Sequence, residues 1–294
     1  MIRAASAAAL LGLVVLAGCS SPSELMIAVQ TDLSMPKDID TIQLEVLRGA
    51  EPKFSRAFEN LGGTDPQARL PLTLGAYAED EPGAEVRVRA IARTGGAEGA
   101  VLILREVVTT VPEERVALLH VPLHFLCDGS AEVRGFEVKN AVCAEDETCV
   151  AGACAPSAVD SGALPDYAPE DVFGGGSGAG DGKCFDVTAC FAGATEATVD
   201  PASCAFAADG ALNVALRTEG DGMCGDAGCL VALDAESSAG FRQSGSQVLL
   251  PPAVCEQVMT GKISAVVTAP AGTSCPQKTV GLPTCGPWAA VGGE

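Results

Sequence analysis

Thirteen cysteines in 294 residues constrain this chain more than any other feature. Twelve of them lie between positions 127 and 285: Cys127, Cys143, Cys149, Cys154, Cys184, Cys190, Cys204, Cys224, Cys229, Cys255, Cys275 and Cys285. The thirteenth, Cys19, stands alone far upstream. Zinc sites show tight ligand pairs, yet no Cys-x-x-Cys occurs here and the only histidines are His120 and His124. An even set of twelve in an oxidising compartment therefore predicts six disulfides. Four cysteines precede a glycine-rich stretch and eight follow it. Both counts are even, which predicts modules without a disulfide between them.

The first residues speak to the compartment. Met1-Ile2-Arg3 is followed by an apolar run to Ala17, the grammar of a secretory signal. The run is too short for a permanent span, which needs about 20 residues. It ends Leu16-Ala17-Gly18-Cys19, which resembles the bacterial lipobox at all four positions. The resemblance implies cleavage before Cys19, a diacylglycerol thioether on that cysteine and a fatty amide on its amino group. Several acyl chains anchor stably where one binds marginally, since each buried CH₂ contributes about 0.8 kcal/mol. Ser20 follows the cysteine, where Asp would favour the inner membrane of enterobacteria, so the outer membrane is expected. The expected location is a bacterial cell envelope, with the body of the protein in the periplasm or at the cell surface.

The formal charge is −20. Such a chain repels nucleic acid and anionic surfaces, so neither is an expected partner.

Period-2 alternation dominates the region after the tether. Val86, Val88, Ala90 and Ala92 alternate with Glu85, Arg87 and Arg89, and Ile42, Leu44 and Val46 alternate with Gln43 and Glu45. This pattern places one face of a sheet on a core and the other in water. Similar runs occur at 25–31, 69–74, 101–110 and 115–126, separated by turn-rich breaks. About seven strands in about 100 residues predict an immunoglobulin-like β-sandwich, without the Cys…Trp…Cys mark of antibody domains.

The expected organisation is a signal peptide (1–18), a lipid tether (19–24), the sandwich (25–126), a small cysteine-rich module (127–155), a Pro/Gly/acidic linker (156–183) and a disulfide-stapled, mostly β domain (184–290). The fold class is all-β. Within the last domain Pro252–Thr260 reads as a short helix, with Pro at its start and Gly261 after it.

The segments EVRVRAIAR, REVVTTVPEERVALLHVPLHFLCDG, CVAGAC, CFDVTACF, CGDAGCLVALD, LPPAVCEQV and PTCGPW resemble a group of cysteine-rich outer-membrane lipoproteins of myxobacterial type. The likeness covers most of residues 40–290. Its motifs are structural and assign no activity to any residue.

Candidate chemistry is sparse. His120 and His124 flank Pro122 in a strand-like run, and four residues at about 3.3 Å each put them about 13 Å apart, too far to share one ion. No Gly-x-Ser-x-Gly elbow is present. The stretch Glu219-Gly-Asp221-Gly-Met-Cys-Gly-Asp226 is the calcium candidate, since acidic glycine-rich loops supply carboxylates and carbonyls. It departs from EF-hand spacing, and a disulfide-tied acidic surface turn is the favoured reading of it. Gly174–Gly182 lacks the Lys-Ser/Thr of a P-loop. No other cofactor is expected.

The functional expectation is a lipid-anchored, non-enzymatic envelope protein that binds or scaffolds an envelope protein or a polysaccharide. The alternatives are a purely structural envelope lipoprotein and a hydrolase using two carboxylates. Trp288, Tyr77 and Tyr167 together on an open face would favour sugar binding.

Overall fold

A computed structural model describes residues 22–77, 83–174 and 183–290; the expected signal peptide, Cys19 and the glycine-rich half of the expected linker lie outside the described residues. The chain is mostly β, in several sheets. The first seven strands are β1 (Glu24–Thr31), β2 (Thr41–Arg48), β3 (Glu51–Phe58), β4 (Leu72–Tyr77), β5 (Glu85–Thr94), β6 (Ala100–Thr110) and β7 (Val116–Leu123). They form a three-stranded sheet, β4-β1-β7, and a four-stranded sheet, β3-β2-β5-β6. All their pairings are antiparallel except β1 with β7, which is parallel.

The alternation seen in the sequence decides which faces meet. Leu25, Ile27 and Val29 of β1 join Ile42, Leu44 and Val46 of β2 and Val86, Val88, Ala90 and Ala92 of β5 in one buried cluster. The arginines between the β5 residues point outward. β3 carries no alternation because it is a mostly exposed edge strand. It follows a tight turn at Gly49 (φ +58°), and Pro52 sits at a bulge. Pro and charged residues on an edge protect it from pairing with other chains.

After β7 a 3-10 turn (Phe125–Cys127) leads into two hairpins, β8 (Ala131–Arg134) with β9 (Glu137–Asn140) and β10 (Glu147–Val150) with β11 (Ala153–Pro156). Cys127–Cys149 and Cys143–Cys154 staple this stretch. Thr148 Oγ1 accepts the Glu106 amide (2.9 Å), which fixes β10 beside β6.

The segment expected to be a linker behaves differently in its described part. Residues 157–167 run as a strap along the free edges of the two sheets, beside β6 and β7. Val108 N–H donates to Ser157 O, Val159 N–H to Val108 O, Leu118 N–H to Pro165 O and Tyr167 N–H to Val116 O. Edge strands β6 and β7 carry backbone groups that need partners when covered, and the strap supplies them. The short helix α1 (Glu170–Phe173) then buries Val172 and Phe173 with Ala28 and Leu118, on the outer side of the β1 sheet.

The remainder is built on the sheet β12-β19-β14-β16-β15. Its strands are β12 (Thr195–Glu196), β14 (Leu212–Thr218), β15 (Met223–Gly225), β16 (Gly228–Leu233) and β19 (Ile263–Pro270). A second, three-stranded sheet pairs β13 (Ala205–Ala207), β18 (Gln247–Leu249) and β17 (Arg242–Ser244). Helix α2 is Val187–Cys190, and α3, Pro252–Met259, lies where the sequence put it, with Gly261 at φ +81° beyond it. β14 is buried on both faces. Ala215 faces a cluster with Phe185, Val187 and Phe191, while Val214 and Leu216 face the same cluster as the first seven strands.

All twelve cysteines of the described residues are paired: besides the two above, Cys184–Cys285, Cys190–Cys275, Cys204–Cys255 and Cys224–Cys229. Among the described residues no disulfide crosses between the two halves, yet the hydrophobic core does. Residues 288–290 complete the join, with Leu70 and Ala289 in a parallel bridge and Trp288 buried in the common cluster.

Candidate functional site

The calcium candidates are not drawn together. Glu219 and Asp226 are exposed, Asp226 in the tip between β15 and β16. At the other end of the loop the cation is already a lysine: Lys37 Nζ donates to Gly220 O and pairs with Asp38. Asp38 also accepts the Gly222 amide (2.7 Å). Burial raises the pKa of Asp221, with help from Asp38 and Asp128. Among the described residues no three His, Cys, Asp or Glu side chains form a group able to hold a metal ion.

The aromatic residues do not share a face. Trp288 is 2 % exposed, Tyr167 is half-buried against the cluster around α1, and Tyr77 alone is open, at 63 %. His120 lies within β7 and His124 just beyond it, as the strand reading required. Burial lowers the pKa of both, His124 to about 4.

His124 belongs to a polar cluster at the junction of the halves that the sequence did not disclose. Asp32 accepts the Phe125 amide (2.7 Å), and Lys278 Nζ donates to Asp234 Oδ1 (2.5 Å). Burial pushes Asp32 up to about 7, with Asp234 adding to the rise. These four side chains, with Gln30, Thr31 and Thr284, line a cavity of about 10 Å³. That is room for about one water molecule. Two carboxylates face it, but a sugar ring does not fit.

A larger concavity, about 510 Å³, runs between the outer face of the four-stranded sheet and the β8–β9 hairpin. Its floor is an ion-pair network: Arg89 holds Glu45 (2.5 Å) and Glu106 (3.2 Å), and Arg87 also pairs with Glu106. Its wall is the hairpin, fastened where Ala131 and Val138 pack on Ile91 and Leu104 and where Arg89 donates to Val138 O. Arg134, Glu137, Lys139 and Asn140 complete the rim. Each guanidinium in the floor is held by acids on neighbouring strands, so the donors are preorganised.

At the hairpin tip, Gly135 (φ +67°) turns the chain and leaves Phe136 fully exposed (107 %), with Val133 and Val142 also open. A bare aromatic at the tip of the β8–β9 hairpin thus stands beside the groove. The local signal was present, since Gly135 separates two short alternating runs, Glu132–Arg134 and Glu137–Lys139. What the sequence did not contain is the sheet face against which the hairpin stands. Comparison with protein-family models, with curated proteins and with solved structures finds no match to this chain.

Proposed function

We propose that this is a lipid-anchored protein of a bacterial cell envelope whose body binds or scaffolds an envelope partner through the β8–β9 hairpin and its groove. The observation that carries the reading is Phe136, fully exposed at the tip of a hairpin that lies in the chain between the disulfide-bonded Cys127 and Cys143. Burying such a ring contributes about 1.5–3 kcal/mol to a complex. Phe136→Ala should therefore weaken capture of the partner from envelope fractions by about 10- to 100-fold, with folding unchanged. Undiminished capture would remove this face from consideration. Protease or periodate treatment of the fractions separates a protein partner from a polysaccharide.

The anchor rests on Leu16-Ala17-Gly18-Cys19. Cys19→Ala should stall processing or release the protein, measured by membrane fractionation and intact mass; an unchanged membrane-bound, processed form would refute it. An outer-membrane address follows from Ser20.

We also read residues 25–126 as an immunoglobulin-like sandwich. What supports it is the pair of hairpins, β2–β3 and β5–β6, joined through β2 and β5 in one sheet, with β1 and β4 paired in the other. The parallel β7 is an addition to that plan.

A further inference from the structure

A second concavity, of about 410 Å³, opens at the end of the sandwich where β1 begins. Its walls are mostly apolar: Val46, Leu47, Phe54, Leu74, Val86 and Val111. Arg48, Lys53 and Tyr77 also line it. It is of the size that takes a drug-sized or single-chain lipid ligand.

The tether starts beside this mouth. Glu24 pairs in register with Tyr77 and accepts its hydroxyl hydrogen. The chain is fixed there, since Ser23 Oγ accepts the Glu114 amide (3.0 Å) and Glu24 N–H donates to Arg115 O (3.1 Å). Cys19 lies four residues before Ser23, a reach of at most about 14 Å.

Charge selects the kind of occupant. Glu51 pairs with Lys53 (2.8 Å) and also faces Arg48, so the two cations lining the mouth are met by an acid. Glu24, Glu85 and Glu113 sit at the same end. An anionic headgroup gains nothing from this rim, whereas a neutral hydrocarbon loses only contact with water. The acyl groups expected on Cys19, linked through a thioether and an amide, are of that kind.

We propose that one acyl chain carried by Cys19 seats in this mouth, so that the protein shelters part of its own anchor. The inference rests on the lipoprotein reading. Sheltering one chain leaves the others to hold the bilayer, and each buried CH₂ moved from membrane to mouth weakens the anchor by the amount it contributed.

The test uses the full-length protein made in cells fed a diazirine-bearing fatty acid. Intact mass first shows whether Cys19 carries lipid. Irradiation followed by peptide mapping then shows where the acyl chain lies. Adducts on the peptides holding Phe54 and Leu74–Tyr77, reduced at least about fivefold in Ala76→Phe, are the expected result. A lipidated protein whose adducts fall only on bilayer lipid overturns the seating and leaves the anchor standing. A chain without lipid on Cys19 overturns both. Should Ala76→Phe not fold, the adduct map of the unaltered protein decides alone.

Discussion

Asp32 and His124 have exchanged their ordinary protonation states. Burial raises the carboxyl to about 7 and lowers the imidazole to about 4, so between those values the acid is neutral and the histidine is neutral too. The signs oppose each other. A raised carboxyl pKa gives stability that is present at low pH and lost as pH rises through about 7. A lowered histidine pKa gives the reverse: stability falls as pH drops from about 6.5 through about 4. Over roughly pH 4.5–6.5 the folded state gains one proton and lacks another, and the two slopes cancel. Asp32→Asn should unmask the histidine, making stability rise with pH across that window by about 1.4 kcal/mol per unit relative to the parent. His124→Gln should tilt it the opposite way. Urea titrations at three pH values check both, and parallel curves for parent and variants would show that the pair does not titrate as described. Asp32 did not stand out in the sequence, and His124 did so only as half of a histidine pair. An Asp after a strand and a His after another are unremarkable until Asp234 and Lys278, from the far half, close over them.

At the scale of elements, the β15–β16 hairpin shows how steric demand and backbone conformation can be separated. Gly222 has φ +82°, and a Cβ there would lie 2.3 Å from Leu230 O and 2.7 Å from Val231 Cγ2. Gly210 has a similar φ of +75° with nothing within 4 Å. Gly222→Ala should cost about 2–4 kcal/mol, from both left-handed strain and overpacking. Gly210→Ala should cost only the strain, about 1–2 kcal/mol. Equal losses in chemical denaturation would mean that the hairpin yields to the added methyl group. Elements of this kind were unevenly legible. β2 and β5 were plain because every second side chain enters the core, and α3 was plain because Pro252 and Gly261 bound it. β3 was hidden because an exposed edge strand has no face to mark. The strap at 157–167 read as linker because its Pro165, its glycine and its acids are what an edge-capping segment and a flexible one share.

For the whole molecule, the disulfides and the core divide the chain differently. Every disulfide stays within its own half, but Leu25, Leu44, Val214, Leu216 and Trp288 belong to one contiguous cluster. Unfolding should therefore be one cooperative calorimetric event for the parent. Trp288→Ala, which empties a buried indole site, should lower that event as a unit by about 3–5 kcal/mol. Two resolved transitions in the parent, with only the later half sensitive to Trp288, would show that the halves fold independently.

By itself the sequence determined the mostly β character and the six-disulfide framework, and it supplies the expectation of export and lipidation. These depend on local periodicity, on cysteine number and on a short terminal motif, all of which are written in neighbouring residues. Tertiary structure alone decided which cysteines pair, how the two halves share a core, and where Phe136 stands relative to the Arg87–Glu106–Arg89 floor. It also decided that Lys37 meets the acidic loop at Gly220. Those outcomes depend on residues far apart in the chain, and no periodicity records which distant surface a buried or a bare side chain will face.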